Sequence, residues 1–241
     1  MKITKILMIP VLAAMLISTS CMDSFWNCIE GNGSTATVRR VVDDFTNISS
    51  NGNFIVDVKI GTTTSVSVEA DENLLAYIET YIQGNTLVIE TDDNHCIRSR
   101  EKIYVHVQTP EIYEIKLSGS GVIYCDDVNA EELKYVLSGS GDIECEGIEA
   151  GFIEANLTGS GEIILSGTAS ETDFLISGSG NIKTFNLEQN KCIATITGSG
   201  TIYVTVQELL DALITGSGNV LYKGNPDLEV NVTGSGRVIK Y

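Results

Sequence analysis

The side chains that could carry out chemistry are few in this sequence, and their spacing matches no known catalytic set. Two histidines, His95 and His106, occur among 241 residues. His95 follows the polar run Asp92-Asp93-Asn94, and His106 alternates with apolar residues, so we interpret both as surface side chains. The partners of a Ser-His-Asp triad or of a zinc ion are missing at the spacing that either site requires. The sequence therefore predicts no catalytic residue, no metal site and no cofactor.

Glu144 and Glu162 are the carboxylates that come nearest to an enzyme site. Some parallel β-helix proteins cleave polysaccharides, and paired carboxylates on an outer strand would suit that reaction. Glycosidases are defined by a separation between the two carboxylates of roughly 5 or 9 Å, and a sequence does not show that distance. Outward acidic residues are usually solvated, so a polysaccharide-active enzyme is the weakest of three functional alternatives.

The first cysteine, Cys21, lies in a distinctive N-terminal context. Two lysines precede the apolar run from Ile6 to Ile17, and Ser18-Thr19-Ser20 stand directly before Cys21. This order is typical of a secretory signal peptide, and the small residues before a cysteine are similar to the bacterial lipobox. We predict a signal peptide over residues 1–20, lipidation of Cys21 and attachment to a membrane through that lipid. The alternative is an ordinary signal peptide that is cleaved nearby.

The other five cysteines are an odd number, which in an exported protein implies a free thiol or an intermolecular bond. They are Cys28, Cys96, Cys125, Cys145 and Cys192. Cys125 and Cys145 occupy the same position of successive repeats. We favour a buried pair of thiols there, because parallel Cβ vectors suit a disulfide poorly.

The charge balance excludes one class of partner. The formal net charge is −17, whereas binding of nucleic acid or of anionic lipid headgroups depends on Lys and Arg neutralising phosphate. We therefore predict no nucleic-acid partner. The acidic pairs, such as Asp71-Glu72 and Asp126-Asp127, lack a calcium-binding spacing and are interpreted as solvated turns.

A tetrapeptide, [Ser/Thr]-Gly-Ser-Gly, occurs seven times at steps of 18–20 residues. The copies begin at Ser118, Ser138, Thr158, Ser177, Thr197, Thr215 and Thr233. A fixed period near 20 residues is typical of stacked supersecondary units. Glycine allows backbone conformations and close approaches that other residues do not, so each Gly-Ser-Gly is predicted to form a corner.

Aliphatic positions repeat in phase with this tetrapeptide. Apolar residues lie one, three and mostly five positions before it, and another lies two positions after its last glycine, with polar residues between them. This alternation has the period of a strand with one buried face. In a series of antiparallel hairpins the apolar positions would not keep one phase around the corner. The pattern therefore favours a right-handed parallel β-helix, or β-solenoid, over a sandwich or barrel.

The chain before the repeats has strand character without the tetrapeptide. Residues 45–112 are predicted to form irregular first coils or a cap, with a hairpin turn at Gly84-Asn85 and one helical turn near Leu74. Residues 21–44 are predicted to be a lipid-anchored tether. The repeat solenoid then spans residues 113–241.

Three of these features together resemble one bacterial family. They are the strands Phe54–Ile60 and Val66–Ala70, the segments Asp71–Leu75 and Gly84–Ile89, and the serial Ser-Gly-Ser-Gly. The chain resembles the head GIN domain family of auto-transporter adhesins, found in exported proteins and lipoproteins of Bacteroidetes. The resemblance covers residues 45–241 and implies an all-β, solenoid-like extracytoplasmic protein with no transferable catalytic residues.

Together these observations predict a non-catalytic lipoprotein of the cell envelope. We expect an outer-membrane location, on the periplasmic or the cell-surface face, and an elongated β-surface that binds a glycan or a protein. The alternative is a structural or assembly protein that acts through its strand edges, because unpaired edges accept further strands.

Overall fold

The computed structural model describes residues 28–241, and this part of the chain is almost entirely β. Within it, helical structure is limited to a single 3-10 turn, Leu75–Tyr77, close to the helical turn expected near Leu74. The described chain contains no helix long and apolar enough to cross a bilayer. The prediction of an all-β fold is confirmed. The predicted signal peptide and Cys21 lie outside the described residues.

The repeat region is a stack of parallel coils. Equivalent residues of successive tetrapeptides lie opposite each other, as in Ser118↔Ser138 and Ser138↔Thr158. Coils of about 20 residues form a β-solenoid of about 6 turns, which confirms the solenoid and excludes antiparallel hairpins. Its strands are β10 (Glu114–Gly119), β11 (Val122–Asp126), β12 (Asn129–Gly139), β13 (Asp142–Gly159), β14 (Glu162–Gly178), β15 (Asn181–Gly198), β16 (Thr201–Gly216), β17 (Asn219–Lys223), β18 (Asp227–Gly234) and β19 (Arg237–Lys240).

Glycine is required at the corners by backbone geometry and by close approach of the neighbouring coil. Gly159 has φ of +127°, and a Cβ atom built there would lie 2.2 Å from the carbonyl oxygen of Gly139. That same oxygen accepts hydrogen bonds from the N–H groups of Ser160 and Gly161, at 2.9 and 3.2 Å. Because only glycine leaves room for these bonds, the hydrogen-bonded ladder continues around each corner.

The core consists of aliphatic columns that run along the stack. The column after the corner is fully buried from Ile123 to Val220, and the column before it is buried from Leu117 to Ile214. Tyr135 and Phe174 are among the largest fully buried side chains, and they belong to a third column that otherwise holds alanine, isoleucine and valine. The predicted inward phase is therefore confirmed for all but the two ends of the stack.

The N-terminal region contributes two further coils and a cap. Its elements are β1 (Ile29–Glu30), β2 (Thr35–Arg40), β3 (Asn47–Gly52), β4 (Ile55–Ile60), β5 (Ser65–Asp71), the 3-10 turn, β6 (Ile78–Gln83), β7 (Thr86–Thr91), β8 (Ile97–Arg98) and β9 (Tyr104–Thr109). Strands β3 and β7 extend one face in the order β7-β3-β10, and strands β4 and β9 extend the other in the order β9-β4-β11. The core of this region is thus continuous with that of the repeats.

Antiparallel strands close this end of the solenoid. Strand β5 pairs with β9, β2 pairs with β5, and β6 forms a hairpin with β7 through the predicted Gly84-Asn85 turn. Terminal units that protect strand edges are a regular requirement of repeat proteins. The cap therefore terminates the parallel stack by changing strand direction.

The predicted tether is wrong in its extent. Within residues 28–44, β1 pairs with β8, β2 joins the main sheet, and Cys28 forms a disulfide with Cys96. These strands were not predicted, because Thr35–Arg40 is mostly polar and exposed and lacks a strong apolar pattern. An edge strand of a cap needs hydrogen-bond partners more than it needs an apolar face.

Burial of the predicted inward positions is incomplete at both ends of the repeats. Tyr113 lies just outside β10, is 44% exposed, and donates a hydrogen bond to Glu111. Leu228, Val230 and Val232 of β18 are 45, 48 and 37% exposed, because β18 has a parallel neighbour on one side only. Burial in a solenoid depends on the adjacent coil.

Candidate functional site

The strand segments that follow each corner present a regular outer surface, which we call the post-corner face. Its middle row is held in register by the parallel ladders. Adjacent strands lie about 4.8 Å apart, so each row presents side chains at that interval. The middle row contains Tyr124, Glu144, Ile164, Lys183, Tyr203, Leu221 and Ile239.

A groove of about 440 Å³ opens on the post-corner face beside β14–β16. The rings of Phe185, Tyr203 and Tyr241 line it together with polar groups. The polar lining comes from Glu146, Ser166, Lys183 and Asn186. Ligand sites commonly combine aromatic surface with a few polar groups of this kind.

An irregularity in the ladder positions Phe185. The register between β15 and β16 shifts between Thr184 and Glu188. The Phe185 carbonyl accepts a hydrogen bond from the Thr205 hydroxyl at 2.8 Å, and Thr184 donates one to the Tyr203 carbonyl at 2.8 Å. These side chains replace ladder bonds that the bulge interrupts, so Phe185 is held in place although it leaves the regular row.

The aromatic side chains form one cluster around a lysine. The Phe185 ring lies 5.3 Å from that of Tyr203, nearly perpendicular to it, and 5.0 Å from that of Tyr241. The Lys223 Nζ atom lies 4.2 Å from the centre of the Phe185 ring and 5.3 Å from that of Tyr241. A cation over an aromatic face is attracted by the ring quadrupole. The cluster therefore fixes an ammonium group against two of the rings that line the groove.

The two carboxylates considered for catalysis lie in neighbouring coils of the post-corner face. Glu162 accepts hydrogen bonds from Lys183 at 2.6 Å and from Asn181 at 3.1 Å. The Lys183 ammonium lowers the pKa of Glu162 below its ordinary value. A general acid needs a raised pKa, so this environment does not suit Glu162 to that role. Glu144 is half-buried in the middle row, next to Tyr124 and Ile164.

Both histidines lie at the surface, as interpreted from the sequence. The Nδ1 atom of His95 is 2.9 Å from Asp92, and the ring packs 4.6 Å from that of Tyr77. The Nδ1 atom of His106 is 3.6 Å from Asp57. In residues 28–241, no group of three or more His, Cys, Asp and Glu side chains is arranged to hold a metal ion.

The remaining cysteines are structural. Cys125 and Cys145 lie opposite each other in adjacent strands, and both are buried free thiols, as we favoured from the sequence. Cys192 is a third buried thiol, and burial raises its pKa to about 12. Because all three thiols are buried, none is accessible as a nucleophile in the folded chain.

Sequence reasoning missed the aromatic cluster. Phe185 falls in the part of the repeat that varies in length, and Lys223 and Tyr241 lie two and three coils further along the stack. An available signal was that Phe185 and Tyr241 share an outward repeat position that is otherwise polar, with Asp126, Glu146, Ser166, Thr205 and Lys223. That signal does not show that the rings converge.

A comparison with known protein families assigns the chain to one of them. The family described as "Putative auto-transporter adhesin, head GIN domain" matches residues 44–226, which is most of the chain. The chain belongs to this family. The resemblance inferred from the sequence is thereby confirmed. Family membership supports an adhesin-like role for this head GIN domain protein.

Solved structures show the same fold in similar proteins. A putative adhesin from Bacteroides fragilis superposes with a TM-score of 0.82 at 23% identity, over 88% of this chain and 100% of that one. A putative lipid binding protein from Parabacteroides distasonis gives a TM-score of 0.74 at 29% identity, over 89% and 100%. A putative adhesin from Parabacteroides merdae gives 0.70 at 24% identity, over 89% and 99%. No curated protein matches this head GIN domain chain significantly.

Proposed function

We propose that this protein is a non-catalytic adhesin of the cell envelope that binds a surface glycan or another protein through the post-corner face. The observation that carries the proposal is the groove lined by Phe185, Tyr203 and Tyr241 on an otherwise regular outer surface. Aromatic residues with a polar tip are enriched where proteins bind partners. The in-register rows around the groove suit a ligand that extends over several coils.

The proposal includes anchorage through a lipid on Cys21. The disulfide between Cys28 and Cys96 fixes the start of the folded chain at the cap. Cys28 follows Cys21 by seven positions, and an extended chain of that length spans at most about 25 Å. The cap would then lie near the membrane. Five strand steps along the post-corner face lead from β9 to β15, which places the groove about 24 Å further out.

Binding is tested with the purified full-length protein on arrays of surface glycans and of extracellular proteins. We expect saturable binding to at least one class, and reduced cell adhesion after deletion of the gene. Binding to neither array, together with full adhesion of the deletion strain, would refute the adhesin proposal.

The anchor and its orientation are tested in cells. Labelled palmitate should enter the wild-type protein and be absent from the Cys21→Ala variant. Incorporation that persists in Cys21→Ala would exclude the proposed lipidation site. Protease treatment of intact cells should digest a surface-exposed protein, whereas complete protection would place it in the periplasm and rule out direct adhesion.

A second proposed function, assembly through a strand edge, is favoured by the exposed side of β18 and β19. Apolar side chains at inward positions of this coil, including Leu228 and Val230, are nearly half exposed. Strand β18 carries Asp227 and Glu229, and β19 carries Arg237 and Lys240. A second copy related by a two-fold axis would pair β18 antiparallel with β19 of the other copy, so that opposite charges meet.

This assembly is tested by sedimentation over a wide concentration range. We expect a dimer that weakens when Val230 is replaced by Lys. A monomer at every concentration would refute assembly without affecting the adhesin proposal.

A further inference from the structure

Lys223 is held in an unusual way for a lysine of this acidic protein. Its ammonium group lies between the rings of Phe185 and Tyr241, and no carboxylate of the described chain lies within 4.0 Å of it. The neighbouring Lys183 differs, since its charge is matched by Glu162 at 2.6 Å. Lys223 therefore provides a positioned positive charge whose hydrogen-bonding capacity no side chain of the described chain uses.

The adjacent groove offers surfaces of two kinds. Phe185, Tyr203 and Tyr241 provide aromatic walls, and Ser166 and Asn186 provide neutral hydrogen-bonding groups. A pyranose ring is complementary to this combination, because its C–H face packs on the negative face of an aromatic ring and its hydroxyls reach polar groups at the rim. An aliphatic ligand would leave the polar groups of the rim unpaired, at a cost in free energy.

We propose that the groove binds a saccharide unit that carries a carboxylate, of the uronic acid class. The pyranose ring packs against Tyr203 and Phe185, and the carboxylate accepts a hydrogen bond from the Lys223 ammonium. This inference rests on the proposed adhesin function and names the ligand class of the site. Glu146 at the rim of the groove accepts hydrogen bonds from sugar hydroxyls, and Asn186 donates to them.

The net charge of −17 does not prevent this interaction. At physiological ionic strength, charges separated by more than about 8 Å are largely screened, so the charges at the groove itself decide. There, Glu162 is paired with Lys183, Glu146 is the carboxylate among the lining residues, and the Lys223 ammonium is positioned by the rings of Phe185 and Tyr241. The overall charge instead weakens the binding of long polyanions, because they would extend from the groove over acidic surface. A ligand with one or a few carboxylates fits the local charge better than a densely charged polymer.

The test uses isothermal titration calorimetry of the full-length protein with tetragalacturonate and with its methyl ester. Both ligands offer the same pyranose rings, and esterification removes the negative charge. We expect the acid to bind about tenfold more tightly than the ester, because a charge-assisted hydrogen bond is roughly twice as strong as a neutral one. Lys223→Gln should abolish this preference and leave ester binding unchanged.

Tyr203→Ala should weaken binding of both ligands at least tenfold. Tyr124→Ala is the matched control, because Tyr124 is an exposed tyrosine of the same row, four coils from Tyr203 and outside the groove. It should bind like the wild type. Thermal unfolding of each variant, compared with the wild type, separates loss of binding from loss of fold.

Equal affinity for acid and ester, or wild-type affinity in both Lys223→Gln and Tyr203→Ala, would overturn the inference. Equal loss in Tyr124→Ala and Tyr203→Ala would overturn it as well. If the arrays reveal another ligand whose binding these variants leave intact, the adhesin function stands and this assignment of the groove fails.

Discussion

Replacement of Gly159 by alanine tests whether the glycine corners are what permits the coils to stack. The added Cβ would lie 2.2 Å from the Gly139 carbonyl oxygen, at a residue whose φ is +127°. Backbone strain of this kind costs about 1–3 kcal/mol. Separation of the coils to relieve the clash weakens the two hydrogen bonds that Gly139 accepts, and each is worth about 0.5–1.5 kcal/mol. The expected loss of unfolding free energy is thus about 2–6 kcal/mol.

The hairpin residue Gly84 supplies a matched control. Its φ is +64°, and a Cβ atom built there has no neighbour within 4 Å. Gly84→Ala therefore carries only the backbone strain, about 1–2 kcal/mol. Guanidinium unfolding followed by far-ultraviolet circular dichroism gives both losses on one scale. A loss for Gly159→Ala that does not exceed the loss for Gly84→Ala would refute the close-approach argument.

Three further predictions concern the core, the pH dependence and the thiols. Ile163→Asp should unfold the middle of the stack, because it places a charge in a fully buried column, whereas Ile164→Asp on the outer face should keep the native circular dichroism spectrum and nearly the wild-type melting temperature. Lys183 lowers the pKa of Glu162 in the folded protein. The ionised Glu162 therefore stabilises the fold above the ordinary carboxyl pKa, and this contribution is lost as the pH falls through the folded pKa. In denaturant titrations, the difference in unfolding free energy between wild type and Glu162→Gln should shrink below about pH 4.5. Cys125, Cys145 and Cys192 are buried thiols, so alkylation at neutral pH, followed by mass spectrometry, should leave all three unmodified in the folded protein. In guanidinium all three should be modified. Modification of any of them in the folded protein would contradict their burial.

The repeat part of the fold was predictable because each coil has the same residue types at the same positions. The glycines of the tetrapeptide, the aliphatic residue before it and the one after it recur together, and the structure places them at corners and in buried columns. The N-terminal coils were less predictable, since the first corner reads Asn51-Gly52-Asn53-Phe54. Only the ladder shows that Gly52 stacks under Gly119 and that β3 lies between β7 and β10.

The functional surface was less predictable than the fold. Glu144 and Glu162 were the candidate catalytic carboxylates, yet Glu162 accepts hydrogen bonds from Lys183 and Asn181. Phe185 leaves the regular row through a change of register that has no marker in the residue types. Phe185, Tyr203 and Tyr241 were not predicted as a site, because no local pattern shows that the three rings share one groove.

By itself, the sequence determined the period, the buried columns, the corners and the strand character, because each depends on residue type and on spacing within one coil. It also carried the family resemblance through the strand segments and the serial tetrapeptides. Only the tertiary structure decided which coils are neighbours at the cap, that Cys28 pairs with Cys96, and that Lys223 meets Phe185 and Tyr241 across several coils. The physical reason is that pairing order and register bring together residues far apart in the chain, and a local pattern contains no information about those contacts.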